Sequence, residues 1–241
     1  MMLSAHQPVY LPGIIFFNKV SQSDTFVLLS DAQFERSSWQ MRNKVRSGET
    51  DCYISIPVQK KGKLGQLIND TKISGDGWKT KHLKTIKFNY SKRPFFDDYF
   101  PELEHIITEA RDSVCDLNVS LIRHLCSCLD IKTHIIDSSD LNVSGFQTDR
   151  LVSICKALDA NEYVSNIGAR SYIDESLFEK AGIRHFWQDF HHPVYDQGRA
   201  FCPNLSVIDL LFNMGQQAAD IVKTCSQLVP YVPTTTLGVS A

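Results

Sequence analysis

The apolar positions of this chain fall into short unbroken runs near both ends and into helical spacing between them. Thr25 to Ser30 reads Thr-Phe-Val-Leu-Leu-Ser, a run that suits a strand buried on both faces, as in a parallel sheet. Before it, Ala5-His6-Gln7-Pro8-Val9-Tyr10-Leu11-Pro12-Gly13 packs two prolines and several polar side chains into one segment, followed by Ile14-Ile15-Phe16-Phe17. Prolines at that density break a strand or a helix. The pattern predicts a strand end, a stiff turn holding His6 and Gln7, and a helix starting near Gly13. With the run at Thr25 this makes a βαβ opening. Cys52 to Val58 alternates loosely and predicts a third strand, after a polar loop at Ser38 to Lys44.

Lys60 to Gly77 is weakly patterned and reads as a long excursion or binding loop. Trp78 to Tyr90, a stretch after Pro101 with Leu103, Ile106, Ile107 and Ala110, and Leu117 to Leu129 then carry helical spacing. Strand-helix alternation returns with Thr133 to Ile136, Gln147 to Leu158, Glu162 to Ser165, Ser171 to Ala181 and Arg184 to Phe190. Ser206 to Met214 reads as a core helix. The Pro- and Thr-rich stretch from Val229 to Ala241 reads as a mobile tail. The expected fold is α/β: one domain over residues 1–241, with a mostly parallel, Rossmann-like sheet and a mainly helical insertion at about 76–129.

Composition changes this picture little but excludes several classes. The 241 residues are 43% hydrophobic and 22% charged, with a formal net charge of -2, so no global basic field points to nucleic acid or to an anionic membrane. No apolar run approaches the ~20 residues that span a bilayer, and the start lacks the pattern of a secretory signal. Seven cysteines lack a disulfide-framework spacing and are expected to be reduced thiols, which points to the cytoplasm. Walker, dinucleotide-binding, HExxH and nucleophile-elbow motifs are absent, and no zinc-ligand spacing is present.

Three polar clusters fall at carboxyl ends of predicted strands: His6-Gln7 with Tyr10; Asp31-Gln33 with Trp39, Arg42 and Asn43; and Ser165-Asn166 with Gly168. In an open parallel sheet these ends share an edge, so the clusters are expected to converge on one crevice. His6 suits general acid/base work or a hydrogen bond to phosphate; the plain alternative is a satisfied core imidazole. Asp31 suits a cation, an amine or a ribose hydroxyl, and otherwise caps a turn. A magnesium ion held there with phosphate oxygens stays open. Arg42 and Lys19 suit an anionic group, Trp39 suits a base or sugar ring, and one of Lys81 and His82 can reach the crevice. For each, ordinary surface charge or packing is the alternative.

The ordered set of residues has a resemblance. It runs His6-Gln7-Pro8-x-Tyr10-x-Pro12, Asp31-x-Gln33-Phe34, Trp39-Gln40-x-Arg42-Asn43, Trp78 with Lys81-His82, Tyr163-x-Ser165 and Leu205-Ser206-x-Ile208-Asp209. Taken together this resembles the WbqC-like family of bacteria, over nearly the whole chain to about Gly215. The resemblance implies a transferase that attaches glycine or another amino-acyl group to the amine of a nucleotide-linked amino sugar, for O-antigen or lipopolysaccharide assembly. Such a transferase needs a carrier for the acyl group, either aminoacyl-tRNA, with charged tRNA then a partner, or an adenylate made in place from ATP; an oligomer is compatible with either. By carry-over His6, Gln7, Tyr10, Asp31, Gln33, Trp39, Arg42 and Asn43 lead the site candidates. One departure is Asn166, where the family tends to carry glycine. Two alternatives stand beside the transferase: a nucleotidyltransferase or adenylate-forming ligase, and a non-catalytic nucleotide-sugar binding protein.

Overall fold

The computed structural model describes residues 1–59 and 65–232. Six strands form the central sheet: β1 (Met2–His6), β2 (Thr25–Leu28), β5 (His134–Asp137), β6 (Glu162–Asn166), β7 (Arg184–Phe190) and β8 (Ser226–Pro230). Their order is β5-β2-β1-β6-β7-β8, parallel except for the last pair. The expected α/β fold with a mostly parallel sheet is therefore the one found.

The chain builds outward from β1 in one direction, through α1 (Ile14–Ser21) to β2 and later β5. It then returns through α5 (Gln147–Ala157) to β6 on the other side of β1. The order thus reverses between β1 and β6. Pairing there runs from Met2–Glu162 to Ser4–Val164 and stops. Each strand continues on its outer side, to His6–Leu28 and to Asn166–Gln188. The two strands part at the level of His6 and Asn166, and such a reversal opens the crevice in which α/β proteins bind ligands.

Two apolar layers cover the sheet. On one face Phe26 and Leu28 pack with Phe16 and Phe17 of α1, with α7 (Val207–Met214), with Ala218 and Val222 of α8 (Gln217–Thr224), and with the helices α2 (Gly77–Tyr90), α3 (Phe96–Glu109) and α4 (Val114–Cys128). On the other, Leu3, Ala5, Val27 and Tyr163 pack against α5 and α6 (Glu175–Lys180). Side chains alternate between these faces along each strand, and this parity decides which polar residue of a strand end meets α1.

Several local expectations change. The polar stretch at Arg42 is not a loop: β3 (Arg42–Ser47) and β4 (Thr50–Ser55) form an antiparallel hairpin separate from the main sheet. The excursion after Val58 includes residues 60–64, outside the described residues. Its later part is laid down by bridges Gln33–Leu67, Val58–Ile73 and Lys72–Ser113. Val229 and Pro230 close β8 against β7 rather than starting a tail, and residues 233–241 lie outside the described residues. Among the described residues no helix is long and apolar enough to cross a membrane.

Candidate functional site

A cavity of about 460 Å³ opens where β1 and β6 part. His6 and Asn166 come to it from the two strand ends, Gly13 to Phe16 from the start of α1, Trp39 from the loop before β3, and Asn43, Lys44 and Tyr53 from the hairpin. Phe190, His192, Asn204 and Leu205 close the remaining side. Trp39 and Tyr53 are 49% and 48% exposed with ring centroids 6.1 Å apart, so two large aromatic faces stand at the cavity open to solvent. The Arg42 guanidinium lies 4.6 Å from the Tyr53 ring centroid and the Lys44 ammonium 5.4 Å from it. That combination of rings and cations suits a base or sugar followed by phosphate.

The turn from β1 to α1 is held from outside. Leu11 has φ 43°, and Asn43 donates to the carbonyls of both Tyr10 (3.1 Å) and Leu11 (2.8 Å) while accepting from the Lys44 N–H (2.8 Å). Asn43 therefore lines the cavity with its amide already committed. Gly13 is the N-cap of α1 and gives no side-chain cap; the Phe16 N–H turns back to its carbonyl at 3.1 Å, and an antiparallel bridge ties Gly13 to Ser206. A β-carbon at Gly13 would sit 3.2 Å from the Leu205 carbonyl oxygen, which explains the bare backbone at this crossing.

His6 is half-buried, its ring edge-on to Phe16 with centroids 5.4 Å apart. Nδ1 lies 2.9 Å from the Gln7 carbonyl oxygen, which only accepts, so Nδ1 carries the hydrogen. Burial first, and the nearby Lys19 charge second, push its pKa down to about 3. The imidazole is thus neutral near pH 7, with Nε2 a bare lone pair. Lys19 itself is buried, donating to the Ala5 carbonyl at 2.9 Å, and burial lowers its pKa to about 7.

The structure brings His6, Trp39 and Asn43 together at the cavity; Arg42 is not among its lining residues but lies against the Tyr53 ring. Gln7 sits next to His6 with its Oε1 accepting from Gln40 at 2.9 Å. Several other candidates are placed elsewhere. Tyr10 is fully buried; its hydroxyl meets His82 Nδ1 at 3.0 Å, and His82 Nε2 lies 3.2 Å from the Ser55 carbonyl. That chain ties the turn to α2 and the hairpin inside the core, out of a ligand's reach. Lys81, next to His82, faces solvent on α2. Lys19 is sealed beneath β1 and cannot reach a phosphate. Ser165 is also buried, bonded to His185 Nε2 at 2.9 Å on the sheet face opposite Asn166.

Asp31 does not face His6. Its carboxylate takes Arg150 Nη2 at 2.5 Å on both oxygens and the Ser138 hydroxyl, joining the ends of β2 and β5 to α5. Burial opposes its ionisation, but the bonds from Arg150 and Ser138 outweigh that and hold the carboxyl below its usual range. With both oxygens on Arg150, a magnesium ion would have to displace an ion pair. Gln33 is exposed, in the bridge to Leu67. Among the described residues no cluster of three or more His, Cys, Asp or Glu is placed to hold a metal.

Sequence reasoning passed over Lys44, Tyr53, Phe190 and His192, which line the cavity. No motif marks them: Lys44 lies in a stretch read as a loop, Tyr53 on the strand after it, Phe190 at the end of β7 and His192 in the irregular segment that follows. His192 accepts from the Asn204 N–H at Nε2 (3.0 Å) and meets the Pro193 carbonyl with Nδ1 (2.9 Å), so both ring nitrogens are engaged.

Comparison with known proteins adds the ancestry. Residues 7–221 match the WbqC-like protein family. The chain is 34% identical over 224 residues to "Uncharacterized protein Rv1507c" of Mycobacterium tuberculosis (strain ATCC 25618 / H37Rv), covering 92% of this chain and 97% of that protein. No solved structure matches.

Proposed function

The chain belongs to the WbqC-like protein family, and from that premise we propose a transferase acting on a nucleotide-linked amino sugar in the cytoplasm. It attaches glycine or another amino-acyl group to the sugar amine, for assembly of O-antigen or another surface polysaccharide. The observation that carries this reading is the cavity at the strand-order reversal, where a neutral imidazole with a free lone pair stands opposite an aromatic wall. The nucleotide base lies on Trp39 and Tyr53. Its phosphates lie toward Lys44 and the uncapped start of α1, where the helix dipole favours negative charge.

The chemistry follows from the state of His6. An environment that keeps an imidazole neutral also disfavours an ammonium, so the sugar amine is held as the free nucleophile. His6 Nε2 accepts a hydrogen bond from it. As the amine nitrogen bonds to the acyl carbon it becomes cationic and acidic, and a weak base suffices to take the proton. The C–O bond to the donor then breaks, and the proton passes to the departing oxygen. That oxygen belongs to a tRNA ribose if the donor is aminoacyl-tRNA, or to AMP if it is an adenylate formed from ATP.

A second reading, nucleotidyl transfer, is favoured by one observation: His6 ends the first strand and shares the cavity with the start of the first helix. The experiment is incubation with glycine, ATP and a UDP- or dTDP-linked amino sugar, with and without charged tRNA. A sugar-nucleotide mass gain of one aminoacyl group supports the proposal. Pyrophosphate release that needs the amino acid identifies the adenylate route. Pyrophosphate release without acylated sugar supports nucleotidyl transfer, and binding without turnover refutes both.

A further inference from the structure

The two strand ends that part at the cavity each leave a hydrogen-bond acceptor without a donor. His6 Nε2 is a lone pair, since Nδ1 holds the ring's hydrogen against Gln7. Asn166 Oδ1 is buried and meets no hydrogen-bond donor. Both residues line the cavity, and the register that sets Ser4 beside Val164 carries His6 to the level of Asn166 two residues on. Asn43 and His192 line it too, but their polar atoms are already engaged. Among the described residues no carboxylate lines it. A buried acceptor without a donor is destabilising until one arrives.

We infer that Asn166 is the residue that selects an amino group over a hydroxyl, its Oδ1 and His6 Nε2 each accepting one N–H of the same neutral amine. This rests on the transferase reading above and names how its acceptor is recognised. A neutral amine carries two hydrogens and satisfies both acceptors; a hydroxyl carries one and leaves an acceptor bare. An ammonium is disfavoured, because Lys19 lies buried behind Ala5 and no lining acid offsets the charge. Asn166 and Ser165 are adjacent in sequence, yet only Asn166 sits on the α1 face with His6.

The test measures binding of a nucleoside-diphosphate amino sugar, and of its counterpart bearing a hydroxyl in place of the amine, to the wild-type protein, Asn166→Ala and Asn166→Asp. The wild type is expected to prefer the amino sugar by about tenfold, the usual scale for one bare acceptor. Asn166→Ala loses that preference while binding the hydroxyl sugar as before, and Asn166→Asp, which keeps the acceptor, retains it. An unchanged preference in Asn166→Ala overturns the inference. So does a fall in melting temperature with preference intact, because the amide would then be serving Gln188, its neighbour on β7 with an unpartnered Oε1. Wild-type binding of both sugars alike refutes the inference and leaves the transferase reading standing; binding of neither refutes both.

Discussion

Replacing His6 with glutamine tests the neutral imidazole. An unfolded histidine takes up a proton as pH falls through about 6.5. The folded His6 does not do so until about pH 3, because burial and the Lys19 charge oppose it. Below pH 6.5 the unfolded state therefore binds more protons, and the folded state loses about 1.4 kcal/mol for each pH unit. Its neutrality costs nothing above pH 6.5, and the loss grows between pH 6.5 and 3. At pH 5.0 the loss comes to roughly 2 kcal/mol, and closer to 1 if solvent reaching the half-buried ring eases protonation. His82 and His185, pushed down to about 4 by burial, act in the same direction, so the comparison must be between variant and wild type. Urea unfolding at pH 7.5 and pH 5.0 provides it. The wild type should lose about 1 to 2 kcal/mol more than His6→Gln between the two conditions. At pH 7.5 the variant should unfold close to the wild type yet lack turnover, since an amide cannot take the proton. Equal acid sensitivity in the two proteins would refute the reasoning, as would a large destabilisation already present at pH 7.5.

Three further substitutions separate site from scaffold. Arg42→Ala should weaken binding of a phosphate-bearing nucleotide several-fold by calorimetry, because it removes the cation set against Tyr53; unaltered binding would remove Arg42 from the site. Tyr10→Phe should cost about 1–2 kcal/mol in chemical denaturation by leaving His82 Nδ1 without its donor, with nucleotide binding unchanged. Arg150→Ala should cost about 1 kcal/mol or somewhat more at neutral pH, as befits a pair whose side chains are only 17% and 27% exposed. That cost should fade as pH drops through the lowered Asp31 pKa, where the carboxylate protonates and the pair is lost, and turnover should persist.

Much of the fold was legible because its buried strands are continuous apolar runs. β2 and the strand-helix alternation from His134 to Phe190 follow directly from that pattern. β3 was not legible, since Arg-Asn-Lys-Val-Arg-Ser carries charge on a strand whose buried Arg46 finds two of its partners 151 and 154 residues away. Its guanidinium donates to Gly48, Gln197 and Ala200. β8 and α8 were hidden in a Pro-rich end and a short turn of mixed character. For the site, spacing placed polar residues at the right edge of the sheet but not on the right face. Ser165 and Asn166, read together as one cluster, are neighbours pointing opposite ways, and Ser165 is packed against His185. Asp31 failed similarly: its partner Arg150 lies 119 residues away on α5, and no local pattern announces such a pair. His6 and Trp39 were found because they flank a turn too proline-dense and too polar to be ordinary core.

The most direct measurement is a crystal structure of the protein with a nucleotide-linked amino sugar bound. The sugar is expected in the cavity lined by His6, Trp39 and Tyr53, with its amine within hydrogen-bond distance of His6 Nε2. A sugar bound elsewhere, or an amine turned away from that imidazole, would contradict this.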